Sequence, residues 1–268
     1  MSSYKYKYLL VFLFVSSVFF SQQKKYSFGY RLKYVPDSTD TLNSKIEDFT
    51  LFVENGKSYF VSDNFLKRDS ILNSIQKKQG IGFNFANTPN TRFRSVVIKD
   101  SGIKNISFYD NILKYYFSYQ ETPNFNWKLI SEKKKIGDYS CSKAETVYAG
   151  RTWIAWYTTE ISINEGPYKF NGLPGLIIQI SDTKDDYNFE LISIKKGNFP
   201  NDNTVFSENY LKKHKQLTKE EYLKVIKNIN ENIINEASMS GLTISPESVE
   251  RAKANFNKRN NPIELNKL

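Results

Sequence analysis

The chain has 268 residues, 40% hydrophobic and 25% charged, an ordinary globular balance long enough for one sizeable domain or two small ones. Aromatic residues make up 15%, with 18 Tyr and 20 Phe, which favours β structure because flat rings pack well on a pleated surface. The net charge is +10, and a single cysteine, Cys141, excludes an internal disulfide and leaves stability to packing.

The N-terminus reads as a secretory signal peptide over 1–21. Lys5 and Lys7 form a basic n-region, Leu9 to Phe20 an apolar run broken by Ser16 and Ser17, and Ser21 a small residue at the cleavage point. Phe19 is bulky for the position two residues before Ser21. The run is shorter than the roughly 20 apolar residues a spanning helix needs, so no transmembrane segment is expected after cleavage. No Cys follows it to carry a lipid anchor. Removing Lys5 and Lys7 lowers the +10 to +8. The basic clusters Lys133-Lys134-Lys135, Lys195-Lys196 and Lys212-Lys213-His214-Lys215, behind an export signal, read as solvated surface or attraction to anionic envelope surfaces, and no nucleic-acid partner is expected.

From Tyr26 the pattern is strand, turn, strand. Tyr26–Val35 ends at the turn Pro36-Asp37-Ser38, and Ile46–Val53 and Ser58–Val61 flank Asn55-Gly56, the strongest short hairpin signal. Asp63–Lys78 changes to helical period, with Phe65, Leu66, Ile71, Leu72 and Ile75 near one face and Gly80 beyond. Strands resume at Arg92–Lys99, Ile103–Tyr109, Leu113–Tyr119, Asn126–Ser131, Gly137–Tyr148 and, after Ala149-Gly150, Arg151–Ile161. In that last strand both faces begin apolar, Trp153, Ala155 and Tyr157 on one and Ile154 and Trp156 on the other. Cover from a helix or neighbouring segment is therefore expected on both sides. Leu176–Ser181 and Tyr187–Lys195 complete an antiparallel meander.

The tail is read as helical over about 207–258. Thr218-Lys219-Glu220-Glu221 is a capping-box pattern followed by Tyr222, Val225, Ile226, Ile229, Ile233 and Ile234 at helical spacing. Ser245-Pro246-Glu247 starts a second helix with Val249, Ala252 and Phe256 on one side, and Asn260-Asn261-Pro262-Ile263-Glu264-Leu265 runs extended. The expected fold is mainly β with helices, α+β: a curved antiparallel meander sheet or half-barrel covered by helices, with 22–268 as one domain.

Candidate catalysts are scarce. His214 is the only histidine and sits among lysines, where a solvated surface ring is expected, so a Ser-His-Asp hydrolase has no base. One His and one Cys exclude a His/Cys zinc site, and Cys141 reads as a small buried apolar residue. Asp182, Asp185, Asp186 and Glu190 gather oxygens without EF-hand spacing and read as a polar hairpin turn. Glu160 and Glu165 could pair as carboxylates of a hydrolase, though the sequence does not fix their separation. There is no phosphate loop or dinucleotide fingerprint, and no cofactor or metal is expected.

The most specific segment is Gly172-Leu173-Pro174-Gly175-Leu176-Ile177. Its glycines supply backbone freedom at a sharp turn, Pro174 presets an angle, and Leu173, Leu176 and Ile177 enter a core, with an exposed Leu173 as the alternative. The motif, with Cys141, Lys143-Ala144, Gly150-Arg151, Ala155-Trp156-Tyr157-Thr158, Glu160-Ile161, Gly166-Pro167, Phe170 and the Asn261–Leu265 ending, resembles the GLPGLI family of exported proteins from Gram-negative bacteria. The resemblance implies export, a β-rich domain and an envelope role, periplasmic, outer-membrane-associated or secreted, and it carries over no catalytic residue. The reading is a non-enzymatic protein that binds an apolar ligand or an outer-membrane protein. Its groove is expected to be lined by Trp153, Trp156, Tyr157, Gly166, Pro167 and the turn Gly172, Leu173, Pro174, Gly175, Leu176 and Ile177. A hydrolase at Glu160 and Glu165 and a purely structural envelope protein are the alternatives.

Overall fold

The computed structural model describes residues 25–77, 88–100, 105–197, 199, 204–232, 247, 250, 254 and 258–265. The expected signal peptide lies outside them, and so does most of the expected second tail helix. Among the described residues no helix is long and apolar enough to cross a membrane.

Two meanders share one 12-stranded sheet. The first runs β1 (Tyr26–Tyr34), β2 (Lys45–Glu54), β3 (Lys57–Ser62), β4 (Ser95–Asp100), β5 (Asn105–Ile112) and β6 (Tyr115–Glu121). The second runs β7 (Lys128–Ile136), β8 (Tyr139–Tyr148), β9 (Arg151–Thr158), β10 (Leu176–Asp182) and β11 (Tyr187–Lys196), and β11 returns to pair antiparallel with β1. A two-residue strand, β12 (Lys215–Gln216), adds in parallel to β6. The strand order is β12-β6-β5-β4-β3-β2-β1-β11-β10-β9-β8-β7. Helices α1 (Asp63–Lys77), α2 (Glu208–Leu211) and α3 (Lys219–Glu231) complete the described elements.

The turns form where the residues permit left-handed backbone. Asn55-Gly56 has φ of 52° and 76°, and Ala149-Gly150 has 51° and 79°. Positive φ at both central residues matches the right-handed twist of flanking strands. Helix α3 begins as its residues dictate: Thr218 Oγ1 accepts from Glu221 N at 3.1 Å, while Thr218 N donates to Glu221 Oε2 at 2.8 Å.

The sheet curls. The carbonyl of Phe170 accepts from Lys99 Nζ on β4, while its ring packs 4.7 Å from Trp153 on β9. Those strands stand six places apart in the sheet order. At about 4.8 Å per spacing a flat sheet would separate them by roughly 29 Å, so only a curled sheet brings both to one residue. The concave face carries Phe28, Tyr30, Leu32 and Tyr34 of β1, Phe49 and Leu51 of β2, Phe60 of β3, Val97 of β4, Phe108 of β5 and Phe189 of β11 in one buried cluster. On the convex side Phe52, Val61 and Val96 pack with Phe65 of α1 and with Val205.

Two expectations change, the end of β9 and the place of His214, while the cover on the convex face of β9 comes from neighbouring strands. Strand β9 ends at Thr158, and Thr159 and Glu160 are exposed. Trp156 on its convex face is covered by lysine side chains rather than by a helix: Lys134 Nζ sits 4.2 Å from the ring centroid and Lys143 Nζ 5.9 Å. His214 is buried, 9% exposed, with its ring 5.1–5.2 Å from those of Tyr109, Tyr116 and Tyr210. Its lysine neighbours belong to the chain before and after it, whereas the cover comes from β5, β6 and α2.

Burial lowers the imidazole pKa of His214 from its ordinary value. The unfolded chain therefore takes up the proton first. The contribution is intact above about pH 6.5 and is lost as pH falls through that value toward the lower folded pKa. Between pH 7 and 5.5 the wild type is expected to lose stability more steeply than His214→Asn, by at most about 1.4 kcal/mol per pH unit. Thermal melts across that range check it, and parallel pH profiles would contradict it.

Candidate functional site

The residues singled out in the sequence form the organising loop of the concave face. Trp153 is 0% and Leu173 1% exposed, and Tyr157, Gly166, Pro167, Gly175, Leu176 and Ile177 are buried with them. Gly172 and Pro174 stay exposed. Leu173 is thus not an exposed contact. Strand alternation also turns Trp156 away from Trp153 and Tyr157, so these residues do not line one open groove.

Backbone bonds explain how the loop is fixed. Gly172 N donates to Asn164 O at 3.1 Å, Gly175 N to Leu173 O at 2.8 Å and Ile177 N to Glu165 O at 3.0 Å. Tyr30 Oη donates to Ile177 O at 2.6 Å. Gly175, at φ 144°, passes so close to β9 that a Cβ would lie 2.0 Å from Thr158 O. A Cβ on Gly166 would lie 2.6 Å from Ile177 Cδ1.

Three buried cations pin the loop and the 260–265 segment. Lys99 Nζ donates to Gly166 O at 2.8 Å and Phe170 O at 3.1 Å and pairs with Glu165 Oε2 at 2.7 Å. Burial lowers the Lys99 pKa, and Glu165 opposes that shift. Lys169 donates to Tyr119 Oη at 2.7 Å and pairs with Glu121 and Glu264. Lys219 reaches the same two carboxylates at 2.7 and 2.9 Å. Burial raises the Glu264 pKa, but the charges of Lys169 and Lys219 and their hydrogen bonds overcome this and hold it at about 2. Arg151 pairs with Asp182 at 2.7 Å and Asp186 at 3.0 Å and donates to Asn261 Oδ1, Pro262 O and Ile263 O. The Asp182–Asp186 hairpin is therefore an anchor as well as a polar turn.

Among the spaces beside this framework, two bear on the expected site. One, of about 480 Å³, is lined by Phe125, Trp127, Asn164, Glu165, Asn171 and Lys99 among others. Glu160 does not line it and accepts from Ser140 N at 2.8 Å, so Glu160 and Glu165 are not brought together there. Glu165 is held as the partner of Lys99. The other, of about 180 Å³, lies on the concave face among Phe49, Phe60, Phe93, Phe108 and Phe189, with Arg92 and Arg94 in its wall. Its rings interlock: Phe49 and Phe60 stack at 5.0 Å, and Phe93 meets Phe49 edge-on at 5.2 Å. No continuous stretch of sequence assembles this chamber. The signal available was the alternation Phe28, Tyr30, Leu32 and Tyr34, which marks one apolar face without saying what opposes it. Among the described residues no cluster of His, Cys, Asp and Glu is arranged to hold a metal ion.

The chain is mainly β, one curled and mostly antiparallel sheet with an aromatic-lined space on its concave face. Residues 145–179 match a family described as "Protein of unknown function (Porph_ging)", a stretch that contains the Gly172–Ile177 turn. No curated protein matches the chain. Among solved structures the chain is similar to PNGF-II in its P21 space group, with 16% identity over 74% of this chain and 32% of that one and a TM-score of 0.49. PNGF-II in its C2 space group gives 15% identity over 73% and 31%, with a TM-score of 0.48. The chain thus spans about a third of the length of that neighbour.

Proposed function

We propose that this chain is an exported, non-enzymatic envelope protein of the GLPGLI type that holds a compact apolar ligand in the chamber of its curled sheet. In this reading 1–21 is a cleaved signal peptide and 22–268 one β-rich domain with a helical tail. An outer-membrane protein is the partner that delivers or receives the ligand.

The observation behind the reading is the space of about 180 Å³ ringed by Phe49, Phe60, Phe93, Phe108 and Phe189. Protein interiors leave few voids larger than a water molecule. An apolar cavity of about 150 Å³ stays dry and accepts a benzene-sized guest. A chamber of this size takes one short chain or ring and excludes a whole two-chain lipid. The groove expected at Trp153 and Leu173 is filled by the protein's own loop, so the ligand site moves to the neighbouring strands. The hydrolase alternative loses its pair of carboxylates, because Glu160 and Glu165 serve different parts of the framework.

Calorimetric titration with 1-octanol tests the proposal. Saturable binding is expected, weakened at least tenfold by Ser95→Leu, which adds side-chain volume at a residue of the chamber wall. Absence of saturable binding, or binding indifferent to that substitution, would overturn it.

A further inference from the structure

We propose that the chamber's ligand is a single-chain anion whose carboxylate or phosphate head is received by Arg92, Arg94 and Arg259. This inference rests on the chamber reading and adds the chemistry of the ligand's polar end.

The buried cations of the framework form ion pairs, whereas among the described residues Arg92, Arg94 and Arg259 form none within 4.0 Å. Lys99, Lys169 and Arg151 each face at least one carboxylate within ion-pair distance. Among the described residues the arginines in salt bridges are Arg31 and Arg151. Arg92 Nη1 is buried without a hydrogen-bond partner, a costly state for a donor unless something accepts from it. The Arg92 guanidinium lies 5.5 Å from the Tyr34 ring centroid and 5.7 Å from that of Phe93, which fixes its plane beside the chamber.

Arg92 and Arg94 both line the apolar chamber. Arg92 also lines, with Arg259 and Lys258, a polar depression of about 610 Å³. Arg92 therefore stands where an apolar space meets a wet one of mixed charge, whose wall also holds Lys45, Asp37, Asp40 and Glu47, and an amphiphile's head requires such a boundary. The arginines also act on one another. Burial lowers the Arg94 pKa, and the charges of Arg68 and Arg259 lower it further. Burial lowers that of Arg259, with Arg92 adding to the effect. Like charges held this close are stabilised by a shared anion, and a planar guanidinium suits carboxylate or phosphate oxygens in bidentate geometry.

The nearby carboxyls accept from neighbouring hydroxyls and form no ion pair within 4.0 Å with these arginines among the described residues. Glu47 accepts from Ser62 and Thr91, and Asp110 accepts from Tyr222 Oη at 2.6 Å. Burial raises the pKa of each, against the opposing charges of Arg92 on Glu47 and of Arg94 on Asp110.

The test compares octanoate, octyl phosphate and 1-octanol, which share one chain and differ in head, on the wild type, Arg92→Gln and Arg94→Gln. At least one anion is expected to bind the wild type tenfold or more tighter than octanol, and which one does so names the head group. In both variants the ratio of anion to octanol affinity is expected to fall at least tenfold, toward one. Added salt is expected to weaken anion binding and leave octanol binding unchanged, a readout that holds even if one variant fails to fold. Equal binding of anions and octanol by the wild type would overturn this inference and leave the chamber reading standing. Binding of none of the three would overturn the chamber reading itself.

Discussion

Replacing Arg151 with methionine is expected to destabilise the fold by about 3–5 kcal/mol, the cost of breaking a buried ion pair by removing one partner. Arg151 is buried and serves Asp182, Asp186, Asn261, Pro262 and Ile263 at once, and its guanidinium lies 4.9 Å from the Tyr187 ring centroid. Its loss strands Asp182, itself buried, and releases Asn261 Oδ1 and the carbonyls of Pro262 and Ile263, which a planar five-donor fork satisfies together. Arg151→Lys is expected to recover only part of the loss, because an ammonium has three donors and no fork. Urea unfolding measures both. A cost below about 1 kcal/mol for Arg151→Met would show that the 260–265 segment is not anchored through this residue.

The second large effect is Gly175→Ala. The backbone there has φ 144°, and the added methyl would meet Thr158 O at 2.0 Å and Thr158 C at 2.7 Å. Both are backbone atoms of β9 and cannot swing aside. The expected cost is about 3 kcal/mol or more, combining strain with displacement of a buried strand end. Gly172→Ala is the control: φ is 87°, but the nearest atom, Trp127 Nε1, is 4.0 Å away. About 1 kcal/mol is expected there, from the left-handed backbone alone. Equal costs at the two positions in urea unfolding would contradict the close approach of the turn to β9.

What could be read from the sequence was local. Asn55-Gly56 announces its hairpin because few residue pairs tolerate two successive positive φ values, and Thr218–Glu221 announces a helix start because both halves of the reciprocal bond lie within four residues. The importance of Gly172–Ile177 was legible for the same reason: a Gly-Leu-Pro-Gly turn has few uses other than a tight one. What those residues face was not legible, since the Tyr30 hydroxyl that donates to Ile177 O stands on β1, far back along the chain. His214 illustrates the limit most clearly. Three lysines within two residues suggested solvent, yet Tyr109, Tyr116 and Tyr210 enclose the ring. The chamber and its arginines draw on β2, β3, β4, β5, β11 and the segment before β4, and no window of sequence contains that set.

The most direct measurement is backbone amide NMR of the mature chain titrated with 1-octanol. The account predicts saturable shifts centred on Phe60, Val97, Phe108 and Phe189, the amides of strands that wall the chamber. Shifts centred instead on the Trp127 and Asn171 cleft, or none at saturating octanol, would contradict it.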